Sequence, residues 1–185
     1  MKNSDNNKLK ILGVLKIFLE EPYKEFYLRE IARKLKISPN TANRSLDRLV
    51  KERLILDKRK ANLRYFNANI ESPAFRHFKV AFSLKQIEDS GLLELLKGNS
   101  SHAVLFGSVA EGLDDKSSDI DILVIGDKNK IKKIILKCQE KLDRELIPYV
   151  FSWLEWRKQA KENKAFYNDV VIKGINLMGE KPIVG

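Results

Sequence analysis

Residues 101–126 read SHAVLFGSVAEGLDDKSSDIDILVIG. The four apolar residues 103–106 form a short buried strand. Gly107-Ser108 then opens a turn, and residues 109–112 can start a helix whose first turn carries free N–H groups. A polar loop, residues 113–118, leads to DIDILVIG, a second strand over residues 119–126. Side chains alternate along a strand, so Asp119 and Asp121 project from one face while Ile120 and Ile122 point into the core. Two carboxylates side by side at the end of a buried strand repel, and a cation is the natural compensation. Mg²⁺ (or Mn²⁺) suits such a pair, because it takes a few carboxylates together with phosphate oxygens. Gly107 lets a phosphate approach the backbone, and the Ser108 hydroxyl and N–H can bind it. A phosphate cradle followed by a metal-binding carboxylate pair fits phosphoryl or nucleotidyl transfer.

Here the chain resembles the nucleotidyltransferase superfamily related to DNA polymerase β, particularly its minimal members. The resemblance rests on Gly107-Ser108, ten intervening residues, then Asp119-Ile120-Asp121, and runs from about residue 84 to 182. It implies a small mixed sheet flanked by helices. It also implies that Asp119 and Asp121 are catalytic and hold Mg²⁺ against the triphosphate of an NTP, while Gly107 and Ser108 grip the phosphates. An acceptor then attacks the α-phosphate in line and pyrophosphate leaves. An amphipathic helix is expected over residues 128–142 through Ile131, Ile134, Ile135, Cys138 and Leu142. A strand over 147–152, a helix from near Trp153 and an edge strand at INLMG follow. The chain departs from the family twice. The strand IPYVFS carries no acid where the resemblance implies a third carboxylate, and the nearest acids, Asp143 and Glu145, precede it. Glu111 stands where an arginine is common.

Upstream, residues 72–97 read as a helical connector. Ser72-Pro73 starts a helix and Gly91 splits the segment in two. Phe75, Phe78 and Phe82 form an aromatic row that needs a neighbour, and a homodimer through residues 72–97 is one expectation. His77 and His102 are expected to be structural.

Residues 1–71 carry a different pattern. Leu9, Ile11, Leu12, Leu15, Phe18 and Leu19 recur at helical spacing up to Pro22. YLREIARKLKI, residues 27–37, follows with a second apolar stripe. Ser38 is placed to cap a third helix with Pro39 at its first position. That helix turns Ala42, Leu46, Leu49 and Val50 inward and leaves Asn40, Thr41, Asn43, Arg44, Ser45 and Arg48 outward. Two short strands, 55–57 and 63–66, then flank a basic hairpin tip, KRKAN, residues 58–62. The whole resembles winged helix-turn-helix regulators. In that family's arrangement Asn40, Thr41, Asn43, Arg44 and Arg48 lie on the recognition helix, where Asn and Arg read adenine and guanine edges of double-stranded DNA. Lys58, Arg59, Lys60 and Arg64 would touch phosphates or the minor groove.

Charge agrees with this division. Residues 1–72 hold 17 basic and 9 acidic side chains, residues 73–185 hold 18 and 16, and the whole chain is +10. A basic front part suits a polyanionic partner. One cysteine, Cys138, cannot form an internal disulfide, which favours a reducing cytoplasm. No apolar run approaches the roughly 20 residues of a membrane helix, and MKNSDNNKLK lacks the apolar core of a signal peptide. The expected architecture is α+β: a winged helix-turn-helix (1–71), a helical connector (72–97) and a small mixed-sheet nucleotidyltransferase domain (98–185).

Overall fold

The computed structural model describes residues 2–185, with side chains from Leu9 onward. It divides into two units, Met1–Lys79 and Val80–Gly185.

In the first unit, α1 (Lys2–Glu20) buries Val14, Leu15, Ile17, Phe18 and Leu19. A two-residue strand, β1 (Phe26–Tyr27), leads into α2 (Leu28–Lys34), whose buried residues are Ile31 and Ala32. The tight turn to α3 (Pro39–Lys51) passes through Lys36 at φ 52°. Ser38 caps α3 as its sequence position suggests: the Thr41 N–H donates to Ser38 Oγ at 3.2 Å, and Pro39 is the first helical residue. β2 (Ile55–Lys60) and β3 (Leu63–Ala68) pair antiparallel, and β1 joins on the other side of β3.

Helix α4 (Pro73–Asp89) starts in the first unit and ends in the second. Phe75 is buried, Phe82 half-buried and Phe78 exposed. Gly91, at φ 79°, separates α4 from α5 (Leu92–Leu96).

The second unit is a four-stranded mixed sheet in the order β6-β5-β4-β7. β4 (Ser100–Phe106) runs antiparallel to β5 (Ile120–Gly126) and to the edge strand β7 (Ile175–Met178), while β5 and β6 (Leu146–Phe151) are parallel. Both faces are covered, which explains the nearly continuous apolar run of β5. Ile120, Ile122 and Val124 join Ala103, Leu105, Leu92, Leu96 and the Ile131, Ile135 and Cys138 stripe of α7 (Lys128–Gln139). Leu123 and Ile125 face the other way, with Val104, Phe106, Trp156 and Val170. That second layer comes from α8 (Trp153–Glu162), α9 (Lys164–Asn168) and a π-helical turn, Asp169–Lys173. Its aromatic centre is Trp156, which donates from Nε1 to the Pro182 carbonyl at 2.7 Å and meets the Phe166 ring edge-on at 6.0 Å.

Candidate functional site

The end of β4 meets the start of β5, with Phe106 opposite Asp121. Gly107 leaves the strand at φ 72°, and a Cβ there would lie 2.7 Å from Asp121 Oδ2. The left-handed backbone and the nearness of the carboxylate both favour glycine at this turn. Ser108 follows, half-buried, in the short helix α6 (Gly107–Glu111).

Asp121 sits half-buried on β5, but Asp119 lies one residue before the strand and is exposed. The strand expected from residue 119 begins at Ile120. Asp119 is nonetheless flanked by anchored backbone: Arg144 Nε donates to the Ser118 carbonyl at 2.8 Å, and the Ile120 N–H donates to the Glu145 carbonyl at 2.8 Å. The same guanidinium pairs with the fully buried Asp114, Nη1 to Oδ2 at 2.6 Å. Asp115 shapes the loop from within. It accepts from the Ser117 hydroxyl and N–H and from Ser118, and these bonds, the Ser117 hydroxyl first, hold its carboxyl below the usual range.

Burial pushes the Asp121 carboxyl above its ordinary value, and the charges of Asp119 and then Asp169 push it further. Asp169 opens the π-helical turn and pairs with Lys173 at 2.9 Å. Lys173 also reaches Glu111, 3.1 Å away, so the acid in the usual arginine's place has a lysine on it. On β6 the residue opposite Asp121 is Ile147, and Tyr149 stands two places on. Burial, then Asp121 and Asp119, raise the Tyr149 hydroxyl, and its ring packs on Phe106 at 5.2 Å and Phe166 at 5.5 Å. Asp143 and Glu145 are exposed. The acid whose field reaches Asp121 from outside the motif is Asp169. Asp169, Lys173 and Tyr149 escaped the reading of the sequence, because no local pattern connects them to the motif.

In the first unit, Asn40, Arg44 and Arg48 lie exposed along α3, with Thr41 and Asn43 half-buried beside them. Ser45, expected outward, is buried at 4%, because it falls on the stripe of Ala42, Leu46 and Leu49. Arg48 pairs with Glu52 at 2.8 Å. The hairpin is longer than the strand pattern suggests. Lys58, Arg59 and Lys60 stand on β2 opposite Tyr65, Arg64 and Leu63, and the tip is only Ala61-Asn62, with Ala61 at φ 51°. Lys58 and Lys60 both pair with Glu25, the latter at 2.7 Å, and they draw its carboxyl below the usual range, Lys58 first. Arg64, expected on phosphate, is held by Asp47 at 2.5 Å and Asp57 at 2.7 Å.

Two family models match the chain, in this order from the N-terminus. Residues 28–55 match a winged helix-turn-helix DNA-binding domain, and residues 92–182 match the polymerase beta nucleotidyltransferase domain. The chain therefore carries a DNA-binding winged helix followed by a nucleotidyltransferase domain of the polymerase β type, a superfamily that typically uses divalent metals. A solved structure described as "Crystal structure of the toxin-antitoxin with AMP-PNP" is 24% identical over 51% of this chain and 74% of that one, with a TM-score of 0.39. No curated protein matches. No helix among the described residues is long and apolar enough to cross a membrane.

Proposed function

We propose that this chain is a regulator that binds double-stranded DNA through α3 and the β2–β3 hairpin, and that its second domain binds Mg-NTP at Asp119 and Asp121. The observation that carries the second half is the state of Asp121. It is half-buried against the Gly107 turn, and its charge is disfavoured by burial, Asp119 and Asp169 together. A carboxylate so placed gains from a divalent cation, and the donors present fit a hard metal. Among the described residues no three His, Cys, Asp or Glu side chains gather as a metal-holding group, so two carboxylates with phosphate and water oxygens would complete the shell. The cation would supply neutralisation of the triphosphate and of departing pyrophosphate. Gly107, turning beside the Asp121 carboxylate, and the Ser108 hydroxyl and N–H would meet the phosphates once the cation is bound. Arg144, through the Ser118 carbonyl, holds Asp119 in place.

Calorimetric titration of Mg²⁺ with each NTP into the wild type and an Asp119→Asn/Asp121→Asn variant tests this half. Mg²⁺-dependent binding that the variant loses is expected, and no binding by the wild type overturns it. For the DNA half, fluorescence anisotropy with a duplex at several salt concentrations compares the wild type with Lys58→Ala/Arg59→Ala/Lys60→Ala. Each lost phosphate contact lowers the salt slope by about 0.9, so the variant should lose roughly 1–3.

Asp169 supports a second reading, an active nucleotidyltransferase whose winged helix selects a nucleic-acid or protein acceptor. A third acid acts on Asp121 from the π-helical turn although β6 has none. Transfer of label from an α-labelled NTP to an acceptor, lost in Asp169→Asn while Mg-NTP binding persists, would favour that reading.

A further inference from the structure

The outer face of α3 contains a hydrogen-bonded relay in which each member constrains the next. Asn43 Nδ2 donates to Asp47 Oδ2 at 2.9 Å, one turn along the helix. The other carboxylate oxygen, Oδ1, accepts from Arg64 Nη1 on β3 at 2.5 Å. Arg64 is anchored a second time by its Nε on Asp57 Oδ2 at 2.7 Å, and its guanidinium lies 4.8 Å from the Phe66 ring centre. The hairpin thus fixes Asp47, and Asp47 fixes the amide of Asn43.

An amide side chain has an acceptor end and a donor end, and unrestrained it can turn either one outward. An ionised carboxylate only accepts, so it admits the NH₂ of Asn43 and repels the carbonyl. One amide hydrogen is then spent on Asp47. Oδ1 and the second N–H remain, an acceptor beside a donor in a fixed order. In the major groove adenine presents the complementary pair, the N6 amino donor and the N7 acceptor, whereas guanine presents two acceptors, O6 and N7. Turning the amide over to suit another base would set its carbonyl against the Asp47 carboxylate.

We propose that Asn43 reads an adenine edge, and that Asp47 and Arg64 are positioning residues that hold the Asn43 amide in the orientation this reading needs. The inference rests on the proposed docking of α3 in the major groove. It moves Arg64 from phosphate contact to support of base readout, and it makes Asp47, an acid on a basic helix, a determinant of specificity.

The test is selection of duplexes from a randomised library by the full chain, comparing the wild type with Asn43→Ala, Asp47→Ala, Asp47→Asn and Arg64→Ala. Thermal melting of each variant checks its fold, and Asp47 is exposed enough that truncation should be tolerated. The wild type should enrich sites with a required adenine, and Asn43→Ala should lose preference at that position alone, by about ten-fold or more. Asp47→Ala and Arg64→Ala should relax the same position and leave the preference at the others unchanged. Asp47→Asn, which keeps an acceptor, should restore part of the preference. Relaxation confined to one adenine is a result that a merely structural role would not give. Uniform weakening across all sequences, an unchanged preference in Asp47→Ala, or a position that proves to be guanine or thymine overturns the relay. Wild-type binding with no sequence preference also overturns it while sparing the DNA-binding reading. A wild type that binds no duplex at low salt overturns both.

Discussion

Replacing Arg144 by methionine probes the element that holds the acidic loop against the sheet. The Arg144 side chain is 8% exposed and its partner Asp114 is fully buried, with 2.6 Å between Nη1 and Oδ2. Methionine has similar length and fills much of the space, but it takes a cation away from a carboxylate that water does not reach. Removing one member of a buried pair costs about 3–5 kcal/mol, against about 0–1 kcal/mol for a surface pair. A unit of roughly a hundred residues unfolds with about 0.2 kcal/mol/K of entropy, so the loss corresponds to a fall in melting temperature of about 15–25 °C. Both tryptophans, Trp153 and Trp156, belong to the second unit, so fluorescence excited at the indole band follows its unfolding within the full chain. Arg144→Lys keeps the charge and should lose less. Asp114→Asn/Arg144→Met removes both charges and should recover a good part of the deficit, the non-additivity expected of directly paired residues. If Arg144→Met melts within about 5 °C of the wild type, the pair contributes no more than a surface contact and the reasoning fails.

Two further outcomes follow from the site. The Asp121 carboxyl titrates above its unfolded value, so its ionised form costs stability above the folded pKa, and that cost fades as pH falls through it. Asp121→Asn should therefore melt higher than the wild type at neutral pH, with the gap closing on acidification toward the ordinary carboxylate range; melting curves from pH 7 to 4 would expose the error if the variant is the less stable at neutral pH. Gly107→Ala should lose about 1–2 kcal/mol from the left-handed backbone alone and more from the contact with Asp121 Oδ2, together with Mg-NTP binding. Gly98→Ala, with φ 77° and nothing within 4 Å of the added Cβ, supplies the backbone part as a control, and equal losses at the two positions would remove the contact from the account.

Much of the architecture was legible because its signals are local. The cap at Ser38-Pro39, the break at Gly91 and the strand–Gly-Ser–loop–strand order of residues 103–126 each depend on neighbours a few positions away. Where local signals were weak, the boundaries moved. Ala61-Asn62 carries no glycine to announce a two-residue turn, so the charged run 58–60 resembled a loop, and the ladder instead continues through Lys60 paired with Leu63. Ser45 resembled a solvent residue by its polarity, but helical period placed it inside.

The sequence by itself determined the two domain types and, apart from Ser45, the polar face of α3, since turn chemistry and side-chain period are written residue by residue; it also supplied the proposed set of Gly107, Ser108, Asp119 and Asp121. Only the tertiary structure decided which charges meet: Asp169 with the field at Asp121, Lys173 with Glu111, Arg144 with Asp114, and Arg64 with Asp47. The physical reason is that an ion pair depends on distance in space, and sheet pairing and helix packing set that distance between residues that no sequence period connects.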